Sequence, residues 1–293
     1  MGSPIDLTLL QNVKDWIYGN SASSPSPVVD DAILRRLITQ ASQFVLSQLQ
    51  RQTLFYHSIT ELRSGVGTPS MTLREFPVLS ISQVMVGNQL IPPRPPLSGS
   101  ATPVITFSGA QPGWSFEPWN GYPPGRPQAV TLSSYRYPRD FNNIQFNYTA
   151  GYVVQGEVQT IPAAAPYTIQ PLMPMGAWAG DVGVSYVGGV ALVPVTSAPT
   201  AGQYVPPTDP NDNPVYTFAA ADAGRPVALS YSFAPADLSY AVCKWVGEAF
   251  TYKSRIGLKS KILAQHETMT YQLTAMPDDV KLILNPYKNQ LPI

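Results

Sequence analysis

Residues 129–152 read AVTLSSYRYPRDFNNIQFNYTAGY, and much of this stretch alternates apolar with polar side chains. The alternation is clearest over residues 129–137 and 144–148, and a period of two residues is typical of a strand with one buried face. Residues 53–62 and 71–75 also read as extended. Residues 81–86 and 89–91 are predicted to form a hairpin around Gly87-Asn88. This section of the chain is therefore predicted to be β structure.

Helices are predicted only towards the two ends of the chain. The first is expected to follow Asp6 as its N-cap and to stop at Gly19-Asn20. The second runs over residues 30–52, where the apolar side chains fall within an arc of roughly 160° if successive residues lie about 100° apart. A third helix is predicted over residues 235–257 and a fourth over residues 278–284. The second helix should therefore pack on one side only.

Composition excludes several classes of protein. The 293 residues include 18 basic and 18 acidic side chains, and charged residues are 12% of the chain, against about 25% in an average soluble protein. Zero net charge argues against a main role in neutralising nucleic-acid phosphates. A single Cys permits neither an internal disulfide nor a cysteine zinc cluster. No signal peptide or long apolar run is recognisable, so we expect synthesis in the cytoplasm and soluble assembly afterwards.

The charges are unevenly distributed along the chain. Residues 1–153 hold 10 basic and 8 acidic residues, residues 154–233 hold 1 and 5, and residues 234–293 hold 7 and 5. The middle section also holds 11 prolines, which lack a backbone donor and are unfavourable inside helices. We therefore predict two domains. Residues 1–153 and 234–293 form a discontinuous helical and β connector core, and residues 154–233 form an inserted Pro-rich β module.

Several segments occur in an order that is typical of one family. They are a short helix ending near Trp16, a helix opened by Asp30-Asp31, the LREFPV segment of residues 73–78, the NYTAGY strand of residues 147–152 and the NPYK ending of residues 285–288. In this collinear order they resemble the head-tail connector (adaptor) proteins of tailed bacteriophages. Residues 190–204 and 216–224 resemble a small β module that recurs in phage virion proteins.

The resemblance implies an α+β fold with a helical connector core of about four helices, a β-strand and hairpin region, and the inserted all-β module. It implies a structural virion protein that is not an enzyme and needs no cofactor. Members of the family form homo-oligomeric rings, usually dodecamers, below the portal protein ring. Such a ring extends the channel for passing double-stranded DNA and offers a docking surface to a tail, stopper or nozzle protein. The expected location is the neck of the virion, after assembly in the host cytoplasm and without a membrane.

The C-terminal segment is the first candidate contact site. In the family this segment commonly docks on the portal, so the resemblance assigns Tyr287, Leu291 and Ile293 to portal contact. These residues are too few to fold alone, and strand addition onto a partner is one way in which they could bind. A disordered tail is the alternative interpretation.

A basic run is the second candidate site, and it comprises Lys253, Arg255, Lys259 and Lys261. It is predicted to contact passing DNA or an acidic rim on a neighbouring ring protein. The alternative is a solvated end of the third helix, where cations interact favourably with the helix dipole.

Aromatic residues in a Pro/Gly-rich segment are the third candidate site. Trp114, Trp119 and Tyr122 are predicted to anchor a neighbouring subunit, because Trp and Tyr dominate interface hot spots. The alternative interpretation is that they belong to the core of the β region, as most aromatics of this region are expected to do. The alternative function is a β-rich carbohydrate-binding or host-recognition virion protein, which would need these side chains, or Trp178 and Tyr186, to be exposed.

Residues with catalytic or metal-binding chemistry are few. His57 and His266 have no Cys or carboxylate at ligand-like spacing, so each is interpreted as an ordinary surface or half-buried residue. Cys243 is expected to be a small packing residue. Glu117 and Asp140 lie among aromatics and leave a carboxylate pair for glycoside hydrolysis as a minor alternative.

Overall fold

The computed structural model describes residues 5–19, 28–94, 112–116, 125–208, 213–252, 260–263, 267–270, 276 and 278–289. Most of the regular structure in these residues is strand. In chain order the strands are β1 (His57–Gly65), β2 (Ser70–Thr72), β3 (Val78–Val86), β4 (Gln89–Ile91), β5 (Gly113–Phe116), β6 (Ala129–Ser133), β7 (Asp140–Ala150), β8 (Val153–Thr160), β9 (Thr168–Ile169), β10 (Gly176–Tyr186), β11 (Val193–Pro194), β12 (Gln203–Val205), β13 (Tyr216–Phe218), β14 (Pro226–Pro235), β15 (Ser260–Leu263) and β16 (Glu267–Thr270). The α-helices are α1 (Leu10–Tyr18), α2 (Val28–Leu49), α3 (Ala236–Tyr252) and α4 (Asp278–Leu284).

The predicted fold class, an α+β fold with a helical connector core, is wrong. Strands outnumber helices throughout the described residues, and the chain is mostly β. The prediction gave the helices too large a share of the fold, because a 3.6-residue period is easy to recognise in sequence. Several strands in residues 168–218, by contrast, are only two or three residues long. Strands of that length are stabilised by their partners rather than by local propensity, so the sequence carries little signal for them.

The four helices nevertheless lie close to their predicted positions. α1 begins later than expected, at Leu10, and its N-cap is Leu9 without a side-chain hydrogen bond. Asp6, predicted to be the cap, is instead buried before the helix begins. Gly19 has a φ of 70° and ends α1 as predicted. No helix in the described ranges is sufficiently long and apolar to cross a membrane.

Contacts divide the chain into two compact units. Unit 1 comprises Met1–Phe55 and Tyr152–Lys288, and unit 2 comprises Tyr56–Gly151 and Asn289–Ile293. This division differs from the predicted one, because most of the β region before residue 152 forms a unit of its own. The boundary of the predicted insert, residues 154–233, stays a prediction, although all the buried residues of one hydrophobic core lie between Ile161 and Tyr231.

Unit 2 is built around β7, the strand in the second half of the quoted stretch. β7 lies between β1 and β3 and is antiparallel to both, and β4 completes the sheet order β1-β7-β3-β4. A second sheet has the order β2-β6-β5. The predicted hairpin between β3 and β4 is confirmed, and both of its turn residues, Gly87 and Asn88, have positive φ values of 54° and 64°. The core contains Val84, Ile144 and Phe146.

Unit 1 combines the helices with the sheets of the Pro-rich section. One sheet has the order β10-β14-β8 and another the order β11-β12-β13-β9. β14 continues directly into α3, so a strand of the sheet and the helix share one rigid junction. The helices pack on a core that includes Leu238 and Val246, while the sheets enclose a second core, and Val154 and Met173 pack against both.

Gly176 shows how closely the chain approaches itself at that junction. Its φ is 153°, and a Cβ at this position would overlap the carbonyl oxygen of Ala234 and lie 2.8 Å from the amide nitrogen of Ala236. Glycine is therefore required where β10 passes the start of α3.

We expect Gly176→Ala to lower the free energy of unfolding by about 1–3 kcal/mol, because the new Cβ strains the backbone and separates β10 from β14. The matched control is Gly180→Ala on the same strand, where an added Cβ meets no heavy atom within 4 Å. Denaturation by guanidinium chloride of both variants measures the difference. Equal midpoints would contradict the tight junction.

Candidate functional site

Tyrosine hydroxyls donate hydrogen bonds to a series of carboxylates in the two units, most of which are buried or half-buried. The pairs are Tyr148 with Glu61, Tyr231 with Glu157, Tyr204 and Tyr216 with Asp181, Tyr186 with Asp222, and Tyr287 with Asp237. Each hydroxyl donates to a carboxylate oxygen, and the ring beside it fills apolar space. An acid can thus be placed in or near a core without a neighbouring lysine.

Asp181 on β10 is half-buried and accepts hydrogen bonds from two tyrosines. Tyr204 donates to Oδ2 at 2.6 Å and Tyr216 to Oδ1 at 3.1 Å, while the Nε1 of Trp178 donates to the Tyr216 hydroxyl at 3.3 Å. Burial raises the pKa of Asp181 above its usual range, and the two tyrosine hydrogen bonds oppose that shift by stabilising the charged form. Both oxygens are occupied by internal donors, so the group serves the fold.

Asp222 organises the turn that precedes β14. The carboxylate is fully buried. It accepts from the Tyr186 hydroxyl at 2.7 Å and from the Gly202 amide at 2.9 Å, and Arg225 lies 3.5 Å away. Its hydrogen-bond partners thus connect this turn to β10 and to the residue before β12.

The aromatics of the module lie inside it rather than on a binding face. Trp178 is 3% exposed, and Tyr186 is half-buried with its hydroxyl bound to Asp222. A sugar-binding platform needs exposed rings, so these two residues do not support the alternative carbohydrate-binding function.

Tyr287, predicted to contact a portal, belongs to the core of unit 1. Its side chain is 1% exposed, and its hydroxyl donates to both oxygens of Asp237, at 2.6 and 2.8 Å, on the first turn of α3. Burial, followed by the nearby Asp237, raises the pKa of Tyr287. Contact with a partner requires an exposed ring, so the structure gives Tyr287 an internal role. Leu291 and Ile293 lie outside the described residues.

The basic run falls largely outside the described part of the chain. Lys253, Arg255 and Lys259 are not described, while Lys261 lies on β15 opposite Met269 of β16. β15 is a separate element from α3, so Lys261 is not part of a continued third helix. Further back on α3, Lys244 forms an ion pair with Asp279 of α4, and their hydrogen bond lowers the pKa of Asp279. The role of the run stays a prediction.

Trp114 is the described member of the predicted aromatic anchors. It lies on β5, is half-buried, and packs against the core of unit 2. Its backbone amide donates to the Pro92 carbonyl at 3.0 Å, and its carbonyl accepts from the Arg94 amide at 2.8 Å. Packing against the core therefore explains why part of the Trp114 ring is buried. Trp119 and Tyr122 lie outside the described residues.

A surface cleft of about 560 Å³ opens between α1 and α3 in unit 1. We call it the α1–α3 cleft, and its lining includes Asp15, Trp16, Leu172, Met173, Tyr240 and Cys243. The rings of Trp16 and Tyr240 meet edge to face with centroids 5.2 Å apart, and they are 47% and 46% exposed. Leu172 is 72% exposed. The cleft therefore presents apolar side chains that nothing in the described chain covers.

Cys243 at the base of this cleft is a packing residue, as predicted. It is 5% exposed, and its sulfur lies 3.1 Å from Thr8 Oγ1, which accepts from Ser239 at 2.8 Å. Burial raises the pKa of the Cys243 thiol to about 11, so the reactive thiolate is scarce at neutral pH. His57 is half-buried on β1, and the described residues contain no group of three potential metal ligands.

Neither the tyrosine-carboxylate pairs nor the α1–α3 cleft was predicted. The paired residues are 23 to 87 positions apart in sequence, so no local pattern connects them. The available signal was the large number of tyrosines, 16, in a chain with only 18 acidic residues. For the cleft, no local signal was available, because the fold alone brings Trp16 of α1 and Tyr240 of α3 together.

We expect the unfolding free energy to fall as pH rises from the ordinary Asp value, about 3.9, towards the raised pKa of Asp181. In this interval the folded protein keeps a proton on Asp181 that the unfolded chain releases, so protonation favours the folded state. Asp181→Asn should flatten this part of the stability profile. Tyr204→Phe should raise the titration midpoint of the Asp181 carboxyl further, as read by carbon NMR. A midpoint at or below 3.9 in the wild type would contradict the assignment.

Comparison with known proteins gives this chain no family. No family model matches the sequence, and a search of curated proteins finds no match. The resemblance to head-tail connector proteins therefore rests on the order of the sequence segments.

Proposed function

We propose that this chain is a structural virion protein, a head-to-tail adaptor of a tailed bacteriophage that forms a ring below the portal. In this role it is not an enzyme. The ring extends the channel for double-stranded DNA and offers a docking surface to a tail, stopper or nozzle protein. This proposal does not include the helical core that was predicted from the resemblance, since the chain is mostly β.

The observation that carries the proposal is the amount of large apolar surface left in water. Phe141 is 81% exposed, Leu172 72%, and the Trp16–Tyr240 pair nearly half. Single exposed apolar residues are ordinary, but aromatic side chains grouped around a cleft are typical of surfaces that bind other proteins. An assembly subunit would cover them with its neighbours.

The placement of charge is a second support. Glu61, Asp222 and, in part, Asp181 and Glu157 lie inside the units, where tyrosines satisfy them. This leaves fewer charges on a surface that must pack against identical copies. The chain as a whole has no net charge, which suits a channel through which DNA has to slide. Within the proposal, the basic run of residues 253–261 makes modest contacts with DNA or with an acidic neighbouring ring.

We expect the purified chain to add to portal-containing heads that lack neck proteins and to form a ring at the portal vertex, visible by electron microscopy. Heads without a portal are the control and should bind none, because the portal supplies the template. A chain that stays monomeric and ignores portal-containing heads would refute the adaptor function.

We expect removal of residues 290–293 to abolish portal binding, because it removes Leu291 and Ile293 while keeping Tyr287 in the core. A matched variant keeps the full length but replaces the same four residues with Gly and Ser, so that loss of the side chains is tested separately from loss of the segment. Co-sedimentation with portal-containing heads measures binding, and thermal unfolding should remain as in the wild type. Tyr287→Ala should behave differently and destabilise the protein by about 3–5 kcal/mol. Undiminished binding by the truncated chain would remove the C-terminal contact from the proposal.

A further inference from the structure

Phe141 lies at the start of β7 in unit 2 and is the most exposed large apolar residue in the described chain, at 81%. Val66 follows β1, whose last residue, Gly65, pairs with Asp140 of β7, and it is 55% exposed. Arg136 and Arg139 are exposed on the same segment. We call the group of Val66, Arg136, Arg139 and Phe141 the Phe141 tip. It combines an aromatic side chain with arginines, two residue types enriched in interface hot spots.

Hydrogen bonds hold the Phe141 tip in one conformation. Asn143 accepts from the Gly65 amide at 2.9 Å and donates to the Pro138 carbonyl at 2.9 Å. Ser64 accepts from the Asn142 amide at 3.1 Å. A segment that is constrained in this way loses little conformational freedom on binding, so the entropy cost of its contact with a partner is small.

Both arginines also take part in this framework. Arg139 Nε donates to the Val66 carbonyl at 3.1 Å, and Arg136 donates to the Gly67 carbonyl at 3.4 Å. Each guanidinium keeps further N–H donors for an outside acid. Asp140 follows Arg139 in the sequence, and its carboxylate accepts from the Phe141 amide at 2.7 Å. The two arginines and this one acid give the tip a net positive charge.

The α1–α3 cleft has the complementary properties. The edge-to-face pair of Trp16 and Tyr240 can accept a third ring, and Leu172 offers apolar surface beside it. Its charged lining residue is Asp15, which is exposed and accepts from Gln11 at 2.7 Å. The neighbouring cation on α1, Lys14, is occupied in an ion pair with Asp31 at 2.8 Å. The cleft therefore suits an aromatic side chain accompanied by a cation.

We propose that the Phe141 tip of one copy inserts into the α1–α3 cleft of a second copy. The Phe141 tip and the α1–α3 cleft are different surfaces of the chain, so the contact is heterologous. Repetition of a heterologous contact forms a ring when the rotation between neighbouring copies closes on itself. As the contact that builds the ring, this inference rests on the proposed adaptor function. It names a partner for the cleft, a second copy of this chain.

Cross-linking between differently tagged copies tests the contact directly. We expect Val66→Cys on one copy and Asn12→Cys on the other to be joined by a short bis-maleimide only when both are mixed, since Val66 lies beside Phe141 and Asn12 lines the cleft, and both changes keep the rings of Phe141 and Trp16. The native Cys243 is buried, with its thiol pKa raised to about 11, and should not react. The control replaces Val66→Cys by Leu90→Cys, which is also in unit 2 and 63% exposed. An equal yield from the control, or no product in free or portal-bound protein, would overturn the inference.

Truncation of the Phe141 side chain measures its contribution to self-association. Phe141→Ala should raise the concentration needed for self-association about 30-fold or more, as loss of a hot-spot residue does. Unfolding should be unaffected because the side chain lies in water, and Leu90→Ala is the matched control. Association should also weaken as salt rises, since arginines and Asp15 contribute to it.

The outcomes separate this inference from the proposed function. If wild type and Phe141→Ala form portal-bound rings at the same concentration, the adaptor function stands and the Phe141 contact is wrong. If the wild type ignores portal-containing heads but the cysteine pair is joined, the contact stands and the adaptor function is wrong.

Discussion

The structure depends on carboxylates that accept hydrogen bonds from tyrosine hydroxyls. A carboxylate taken from water needs donors, and an unpaired one would shift its pKa or destabilise the fold. Tyr231 satisfies Glu157 and thereby connects β14 with β8, and Glu157 also accepts from the Leu172 amide, which fixes the approach to β10. Asp181 in the same way connects β10 with β12 and β13. The short strands of unit 1 are thus held by side chains as well as by their few backbone bonds.

The same constraint explains the charge balance of the chain. Residues 154–233 contain Arg225 as their one basic residue, yet their described acids are satisfied, because a tyrosine supplies both a donor and a ring that fills the core. Burial raises the pKa of Tyr204, Tyr216 and Tyr231, so their hydroxyls remain donors well above neutral pH. Structural acids therefore need few compensating cations, and the surface of the module can stay poor in charge.

Sequence predicted those parts of the fold that have a local physical cause. The apolar arc of α2 and the Gly87-Asn88 turn of the β3–β4 hairpin each depend on a few neighbouring residues, and both are present. The dominance of strands was missed, because β9, β11 and β13 are only two or three residues long and depend on pairing with other strands, which local sequence does not show. The α1–α3 cleft was also missed, since its lining combines residues that are far apart in sequence, from α1, from α3 and from the segment before β10.

Aromatic residues divide into two sets by the partners they have. Tyr148, Tyr204 and Tyr231 each reach an acid and are buried, so their polar end is satisfied inside the protein. Trp16 and Phe141 lie near element ends, on the last turns of α1 and at the start of β7, and stay exposed. The fold buries many other rings but leaves these two exposed. Binding of a partner would bury them and remove their apolar surface from water. Interface candidates in this chain are therefore identified by the exposure of aromatic side chains in the structure, which composition alone does not reveal.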